Sequence, residues 1–159
     1  MLIQDLTGNH DRRGFDCGRD ELNHWLQRIA RQHRDKGLSR TFVAVMEDRP
    51  TLIAGYYALT LTELDKRQLP SERQKRFPQR IPGVRLGRLA IDLRFQCKGL
   101  GELLLIDAME RTRRVHAEAG AIGLFVDAID SQAAQFYLHF GFTPSPDHPL
   151  LLFLPVDSQ

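Results

Sequence analysis

The sequence predicts an α/β fold in which a mixed β-sheet is flanked by helices. Apolar residues recur at helical spacing in three segments, and five β-rich runs lie between or beside them. In the second half of the chain the two patterns alternate strictly, as a strand–helix–strand arrangement requires. The helical segments are 20–34, 99–117 and 131–140, and the strands are 41–46, 52–60, 84–93, 122–128 and 150–156. A length of 159 residues fits a single domain over 1–159.

Each element has its own local signal. The first helix follows from the spacing of Leu22, Trp25, Leu26, Ile29 and Ala30. The turn at 47–50 joins the first two strands into a hairpin. Residues 65–83 are polar and contain three prolines, so we expect a loop with a short helix in the middle. Glycines follow the last two helices and mark their ends.

Composition excludes several classes of protein. Hydrophobic residues make up 42% and charged residues 26%, which is typical of globular domains. No apolar run is long enough for a membrane helix, and residues 1–5 lack the pattern of a signal peptide, so we expect a cytoplasmic protein without a membrane segment. Cys17 and Cys97 are far apart and no ladder of Cys and His surrounds them, so we expect neither a disulfide framework nor a metal site.

Positive charge is concentrated in one part of the sequence. Residues 66–94 contain nine basic and two acidic residues, a net charge of +7 in a chain whose total is +2. A second cluster of Arg and Lys lies at 28–40, whereas residues 120–159 contain neither. A face that binds a polyanion needs such segregation, although a solvated helix and a basic loop explain it equally well.

A glycine-containing loop precedes the second helix. The segment Gln96-Cys97-Lys98-Gly99-Leu100-Gly101 follows a strand and opens an amphipathic helix. Glycines allow a close approach of ligand to backbone, and the first N–H groups of a helix have no partner within it. Together with the helix dipole they form an anion site suited to a diphosphate. The segment matches neither a P-loop nor a dinucleotide fingerprint, and a plain tight turn remains an alternative.

An aromatic pair lies near the end of the last helix. Phe136 and Tyr137 precede Gly141 and Phe142 by one turn. Phe136 and Phe142 are most simply core residues, while the phenol of Tyr137 could either pack at the surface or carry chemistry.

In this order and spacing, the two motifs resemble those of the GNAT (Gcn5-related N-acetyltransferase) family over nearly the whole chain. Gln96-x-x-Gly99-x-Gly101 is similar to the pyrophosphate loop that binds acetyl-CoA, and Phe136-Tyr137-x-x-x-Gly141-Phe142 to the C-terminal motif. A closer resemblance is to the GNAT toxins of toxin–antitoxin modules, which acetylate aminoacyl-tRNA. It rests on residues 15–18, 22–26, 39–43, 55–59 and 88–92. One departure is Asp130, since many GNATs have Asn seven residues before the tyrosine.

The resemblance implies a set of functional residues. Tyr137 is the expected general acid that gives a proton to the departing thiolate of coenzyme A. The backbone of Leu89, Ala90 and Ile91 is expected to hold the pantetheine arm. Cofactor contacts are expected from those three residues together with Gln96, Cys97, Lys98, Gly99, Leu100, Gly101 and Phe136.

The same resemblance implies partners. A ribbon-helix-helix antitoxin would neutralise the enzyme and would link it to DNA only indirectly, and the toxin itself is expected to form a homodimer. For gripping tRNA phosphates the charge pattern offers Lys36, Arg40, Arg85 and Arg88, although Arg88 could equally be a structural charge inside the fold.

Two other functions remain open at this stage. One is acetylation of a small amine or a protein N-terminus, and the other is a non-catalytic module that binds coenzyme A. An α-amino group has a pKa of about 7.7–8.0, so part of it is already neutral at pH 7 and a strong general base is dispensable. Glu63, Asp92 and His139 are available as bases, and the sequence favours none of them.

Overall fold

The computed structural model describes residues 1–157. The strands are Leu2–Asp5 (β1), Arg40–Val45 (β2), Gly55–Asp65 (β3), Arg80–Ile91 (β4), Gly123–Asp127 (β5), Thr143–Pro144 (β6) and Leu151–Pro155 (β7). They form a seven-stranded sheet with the strand order β1-β2-β3-β4-β5-β7-β6. Strands β4 and β5 are parallel, whereas β1–β2, β2–β3, β5–β7 and β6–β7 are antiparallel pairs. The predicted α/β class with a mixed sheet is thus confirmed.

The helices agree with the sequence pattern to within one or two residues at their ends. The first helical segment has an internal irregularity, because a π-helical turn separates two short α-helices. Short 3₁₀ turns occupy Lys66–Gln68, Ser71–Arg76 and Leu93–Phe95. The helical elements are Asp20–His24 (α1), the π turn Trp25–Ile29, Ala30–Asp35 (α2), Leu100–Glu118 (α3) and Ser131–His139 (α4).

The prediction of a loop over residues 65–83 is wrong at its C-terminal end, because β4 begins at Arg80. Pro82 lacks an N–H group and argues against a strand in the sequence. Its carbonyl nevertheless accepts a 3.0 Å hydrogen bond from the amide of Ile122, and the neighbouring Ile81 is buried. The short strands β1 and β6 escaped prediction, and β3 begins at Gly55 rather than at residue 52.

The chain divides into two compact units, which are described separately. The first unit comprises Met1–Thr60 and Gly87–Ala108. Its core is built from aromatic and aliphatic side chains of the N-terminal loop, the first helical segment and strands β2 to β4. Trp25 and Tyr56 are stacked with a ring separation of 6.0 Å, and Phe15 contacts Tyr56 edge-on at 5.4 Å. These buried rings fix the helical segment against the strands of this unit.

The second unit comprises Leu61–Leu86 and Met109–Gln159. Its core contains Leu64, Leu69, Ile81, Phe125 and Phe153, with the two phenylalanine rings 4.6 Å apart. The start of β4, strand β5 and strand β7 contribute to it. Within residues 1–157, no helix is both long and apolar enough to span a membrane.

Candidate active site

The loop between β4 and α3 has the backbone shape that an anion site needs. Cys97 and Gly99 both have positive φ angles, +61° and +82°. The amide of Leu103 makes a 3.2 Å bond to the carbonyl of Gly99, so the N–H groups of Leu100, Gly101 and Glu102 precede the first such bond of the helix. Unpartnered N–H groups at a helix start attract a phosphate. Residues 96–101 therefore fit the pyrophosphate of acetyl-CoA.

The side chain of Gln96 is engaged within the protein. Its amide nitrogen donates to the carbonyl of Ile91 at 2.8 Å and to the carbonyl of Cys17 at 3.1 Å. Both acceptors are backbone groups, one at the end of β4 and one in the N-terminal loop. Gln96 thus positions the loop through the amide nitrogen of its side chain.

Asp92 is the second residue that fixes this loop. Its side chain is 2% exposed and accepts hydrogen bonds from the backbone and guanidinium of Arg94 and from the amide of Asp16. Burial alone would raise the pKa of Asp92, but these hydrogen bonds outweigh it and hold that pKa below its usual value. The carboxylate therefore remains charged and is a poor general base.

A further set of hydrogen bonds fixes the N-terminal segment that contacts loop 96–101. The carboxylate of Asp16 accepts from the amide of Gly18 at 2.9 Å and from the side chain of Asn23 at 3.0 Å. The oxygen of Asn23 in turn accepts from the amide of Cys17 at 2.9 Å. Sequence reasoning did not select Asp16 for this role. Its spacing to Gly18 is typical of an Asx turn, but the partner at residue 92 is invisible in the sequence.

A cleft of about 210 Å³ opens beside the end of β4. The strand contributes Leu89, Ala90 and Ile91, the residues expected to hold the pantetheine arm. Gln96 lies in the same cleft, so the structure brings these four predicted residues together. The other lining residues are Cys17, Arg19 and Leu22. Burial raises the pKa of the Cys17 thiol, so the thiol stays protonated. Cys17 therefore lines the cleft without acting as a nucleophile.

Tyr137 belongs to the second unit and is 6% exposed there. Its ring contacts Phe136 edge-on at 5.1 Å and Phe142 at 5.4 Å. Within residues 1–157, no hydrogen bond to its hydroxyl is seen. Burial raises the pKa of Tyr137 well above its usual 10, so the phenol keeps its proton. A protonated phenol without a hydrogen-bond partner suits a proton donor.

Asp130 begins the helix that carries Tyr137. Its carboxylate accepts from the amide of Ala133 at 2.9 Å, which is an N-cap interaction. Asp130 therefore has a structural role as the N-cap of α4.

The surroundings of the other two base candidates do not favour either of them. Glu63 accepts a 2.6 Å bond from Arg80, so its carboxylate is already paired. His139 is exposed, and its ring contacts Phe140 at 4.8 Å.

The four residues predicted to bind tRNA have different surroundings. Lys36 is exposed, Arg40 pairs with Asp5 at 2.5 Å, and Arg85 pairs with Asp127. The exposed Arg40–Asp5 pair contributes at most about 1 kcal/mol, so a phosphate can displace the carboxylate of Asp5 at little cost.

Arg88 differs from the other three residues. Its guanidinium lies 4.7 Å from the ring centre of the buried Trp25. This contact supports the alternative that Arg88 is a structural charge inside the fold.

In the first unit, the glycine-containing loop at the start of α3 and the cleft at the end of β4 are features that suit the binding of a nucleotide cofactor. The family comparison agrees. The chain belongs to the acetyltransferase (GNAT) domain family, whose model matches residues 16–150.

Individual relatives within this family are also similar to the chain. The tRNA-acetylating toxin of Mycobacterium tuberculosis (strain ATCC 25618 / H37Rv) is 33% identical over 149 residues, which cover 94% of this chain and 88% of the toxin. A solved mutant of KacT superposes with a TM-score of 0.92 at 34% identity, covering 98% of this chain and 94% of KacT. AtaT complexed with acetyl-methionyl-tRNAfMet gives a TM-score of 0.89 at 35% identity, with coverages of 97% and 94%.

Two related complexes contain a cofactor and an antitoxin. AtaTR bound with AcCoA gives a TM-score of 0.81 at 36% identity, covering 98% of this chain and 93% of that one. An AtaT mutant bound to the C-terminus of the antitoxin AtaR gives a TM-score of 0.81 at 32% identity, covering 98% and 92%.

Proposed function

We propose that this chain is an acetyl-CoA-dependent N-acetyltransferase toxin that acetylates the α-amino group of aminoacyl-tRNA and thereby blocks translation. The observation that carries the proposal is the similarity, over 97% of the chain, to AtaT in complex with acetyl-methionyl-tRNAfMet. The segregated positive charge of residues 66–94 supports an RNA acceptor.

In the reaction, the neutral α-amino nitrogen attacks the carbonyl carbon of the acetyl thioester. The C–S bond breaks, the acetyl group forms an amide with the nitrogen, and the amine proton leaves to water. Tyr137 gives its proton to the sulfur of coenzyme A and regains one from solvent. Backbone groups of residues 89–91 orient the thioester, and the N–H groups at the start of α3 neutralise the pyrophosphate.

The proton donor is suited to this leaving group. A thiol has a reference pKa of about 8.5 and a phenol about 10. Burial raises the pKa of Tyr137 further, so the phenol stays protonated until negative charge develops on a nearby sulfur. General-acid assistance of this kind accelerates a reaction by about 10²–10⁴-fold.

The partners follow from the same relatives. AtaT has been solved with the C-terminus of the antitoxin AtaR, which supports neutralisation of this chain by a cognate ribbon-helix-helix antitoxin. The AtaT–AtaR complex has been solved bound to DNA, which supports an indirect link to DNA through the antitoxin. We expect the enzyme to act in the cytoplasm, where aminoacyl-tRNA is found, as one domain over 1–159 and as a homodimer.

Acetylation of defined acceptors tests the proposal. Purified protein is incubated with labelled acetyl-CoA and one of three acceptors: aminoacylated tRNA, the same tRNA without its amino acid, or the free amino acid. We expect label only on the aminoacylated tRNA, with N-acetyl-aminoacyl-adenosine found by mass spectrometry after nuclease digestion. Equal transfer to the free amino acid would instead favour a small-amine acetyltransferase.

A growth assay distinguishes a toxin from the remaining alternative, a non-catalytic module that binds coenzyme A. Expression of the wild-type chain should arrest a bacterial host, and Tyr137→Phe should relieve the arrest. A protein that binds acetyl-CoA but acetylates no acceptor would be a non-catalytic module.

A further inference from the structure

A group of arginines in the first unit is distinct from the four residues predicted to bind tRNA. Arg12 belongs to the loop between β1 and α1, and its guanidinium donates a 3.1 Å hydrogen bond to the carbonyl of Gln27 in the π turn. Arg31 follows Gln27 by four residues, about one helical turn later. The hydrogen bond therefore brings the loop guanidinium to the part of the helical surface that carries Arg31.

No carboxylate within the described residues pairs with either arginine. The Nε atom of Arg31 is buried and has no hydrogen-bond partner in the described part of the chain. Gly8 covers this guanidinium closely, since a Cβ atom there would lie 3.3–3.6 Å from its terminal atoms. Burial, followed by repulsion from Arg31 and Arg13, lowers the pKa of Arg12. The half-buried guanidinium groups of Arg12 and Arg31 thus lie near each other, and no carboxylate of the described residues lies between them.

The same helical surface continues in both directions. Arg34 lies three residues after Arg31 on α2, a spacing that places side chains next to each other on an α-helix, and Arg28 lies three residues before Arg31 in the π turn. Neither forms an ion pair within residues 1–157. The carboxylate of Asp11, which lies next to Arg12 in sequence, caps the amide of Gly14 at 3.1 Å. We call this set the arginine surface; it comprises Arg12, Arg13, Arg28, Arg31 and Arg34.

We propose that the arginine surface binds consecutive phosphates of the tRNA backbone, with Arg12 and Arg31 gripping one phosphate between them. The inference rests on the proposed function and adds residues to its RNA-binding face. Guanidinium groups match phosphate oxygens with paired hydrogen bonds, and an anion between Arg12 and Arg31 would satisfy the buried Nε and remove their repulsion. Within the described part of the chain, the five arginines have no carboxylate partners, so they suit a ligand with a negative charge on every residue. A phosphodiester chain has such a charge on every residue, and we therefore favour it over an acidic peptide.

Binding of uncharged tRNA, measured without acetyl-CoA, tests this surface separately from catalysis. The variants are Arg12→Gln and Arg31→Gln, with Arg113→Gln as the matched control, since that arginine is already paired with Glu110 at 2.7 Å. We expect each of the first two to weaken tRNA binding by about tenfold. The slope of log affinity against log salt should become shallower by about 0.7–0.9 for each phosphate that is no longer neutralised.

Further measurements keep the result interpretable. Arg31→Lys retains the charge but cannot form the paired hydrogen bonds, so we expect it to keep the salt slope and bind tRNA more weakly. Arg34→Gln changes a third member of the surface and serves as the test if Arg12→Gln or Arg31→Gln misfolds. Acetyl-CoA binding by calorimetry should be equal to wild type in every variant.

The outcomes separate this inference from the proposed function. If the wild type acetylates aminoacyl-tRNA while Arg12→Gln, Arg31→Gln and Arg34→Gln bind tRNA with unchanged affinity and salt slope, the arginine surface has no RNA role. If these variants lose only the binding of an acidic antitoxin peptide, the surface serves a protein partner and the inference is wrong. If the wild type binds tRNA through this surface but acetylates none, the proposed function fails and the inference stands.

Discussion

The backbone amide of Asp16 donates a 3.1 Å hydrogen bond to the carboxylate of Asp92, which lies 76 residues later in the chain. In return, the amide of Leu93 donates a 2.8 Å bond to the carbonyl of Asp16. The N-terminal loop and the residues that precede loop 96–101 are therefore joined by reciprocal bonds. The conformation of loop 96–101 thus depends on a segment far away in sequence.

Replacing the buried carboxylate should weaken this link. Asp92→Asn removes the charge that accepts from Arg94 and Asp16, and hydrogen bonds to charged groups contribute about 1.5–3 kcal/mol. We expect the free energy of unfolding, measured with urea at pH 7, to fall by about that amount. An unchanged value would mean that the network contributes no net stability.

The same variant has a defined pH dependence. The pKa of Asp92 in the folded protein lies below its unfolded value of about 3.9, so the charged carboxylate stabilises the fold above that pH. This stabilisation is lost as the pH falls through the folded pKa. The difference in unfolding free energy between wild type and Asp92→Asn should be constant from about pH 5 to 8 and shrink below about pH 4. A difference that grows on acidification would contradict this assignment.

Gln96→Ala should affect cofactor binding more than chemistry. The substitution removes the two bonds to the carbonyls of Cys17 and Ile91, so the loop loses its support at both ends. We expect the KM for acetyl-CoA to rise several-fold with little change in kcat, because uniform binding is lost. Gln32→Ala, at an exposed position of α2, is the control and should leave both constants unchanged. A lower kcat at constant KM would instead point to a direct role in the reaction.

Tyr137→Phe should separate binding from turnover. The hydroxyl has no hydrogen-bond partner within residues 1–157, so we expect an unchanged melting temperature and an unchanged Kd for acetyl-CoA. Because the proton donor is lost, kcat should fall by about 10²–10⁴-fold. In the wild type, the raised pKa of this phenol predicts that no loss of activity from its ionisation occurs below about pH 10. Wild-type turnover by the variant would remove Tyr137 from the mechanism.

Two glycines offer a matched test of packing at the strands beside the cleft. A Cβ atom on Gly55 would lie 2.9 Å from the side chain of Ile91 and 3.1 Å from the carbonyl oxygen of Ala90. Gly55→Ala should therefore destabilise the fold by about 1–3 kcal/mol. A Cβ on Gly87, in β4, meets nothing within 4 Å, so Gly87→Ala should leave stability unchanged or slightly raised. Equal unfolding midpoints for the two variants would contradict this packing.

Local patterns were sufficient to predict the main elements. Helical spacing indicated α3 and α4, and continuous apolar character indicated β5. The start of β4 was missed because Pro82 and its polar neighbours resemble a loop, although long-range hydrogen bonding makes them a strand. The π turn at Trp25–Ile29 was also missed, since it has no distinctive composition.

The candidate site was predictable in part. The order and spacing of the glycine loop and the late tyrosine are local features, and the family comparison agrees with them. The engagement of the Gln96 side chain was not predictable, because its acceptor on Cys17 lies 79 residues away. Nor could the sequence separate Arg85, which pairs with Asp127, from Arg12 and Arg31, which have no such partner in the described chain.

The two cysteines differ in a way that experiments can use. Cys17 is buried, whereas Cys97 is exposed in loop 96–101. A thiol-reactive fluorophore would accordingly label the wild-type protein at one defined position, without any engineered cysteine. Protection of that thiol from labelling by added acetyl-CoA would turn the native chain into its own reporter of cofactor occupancy.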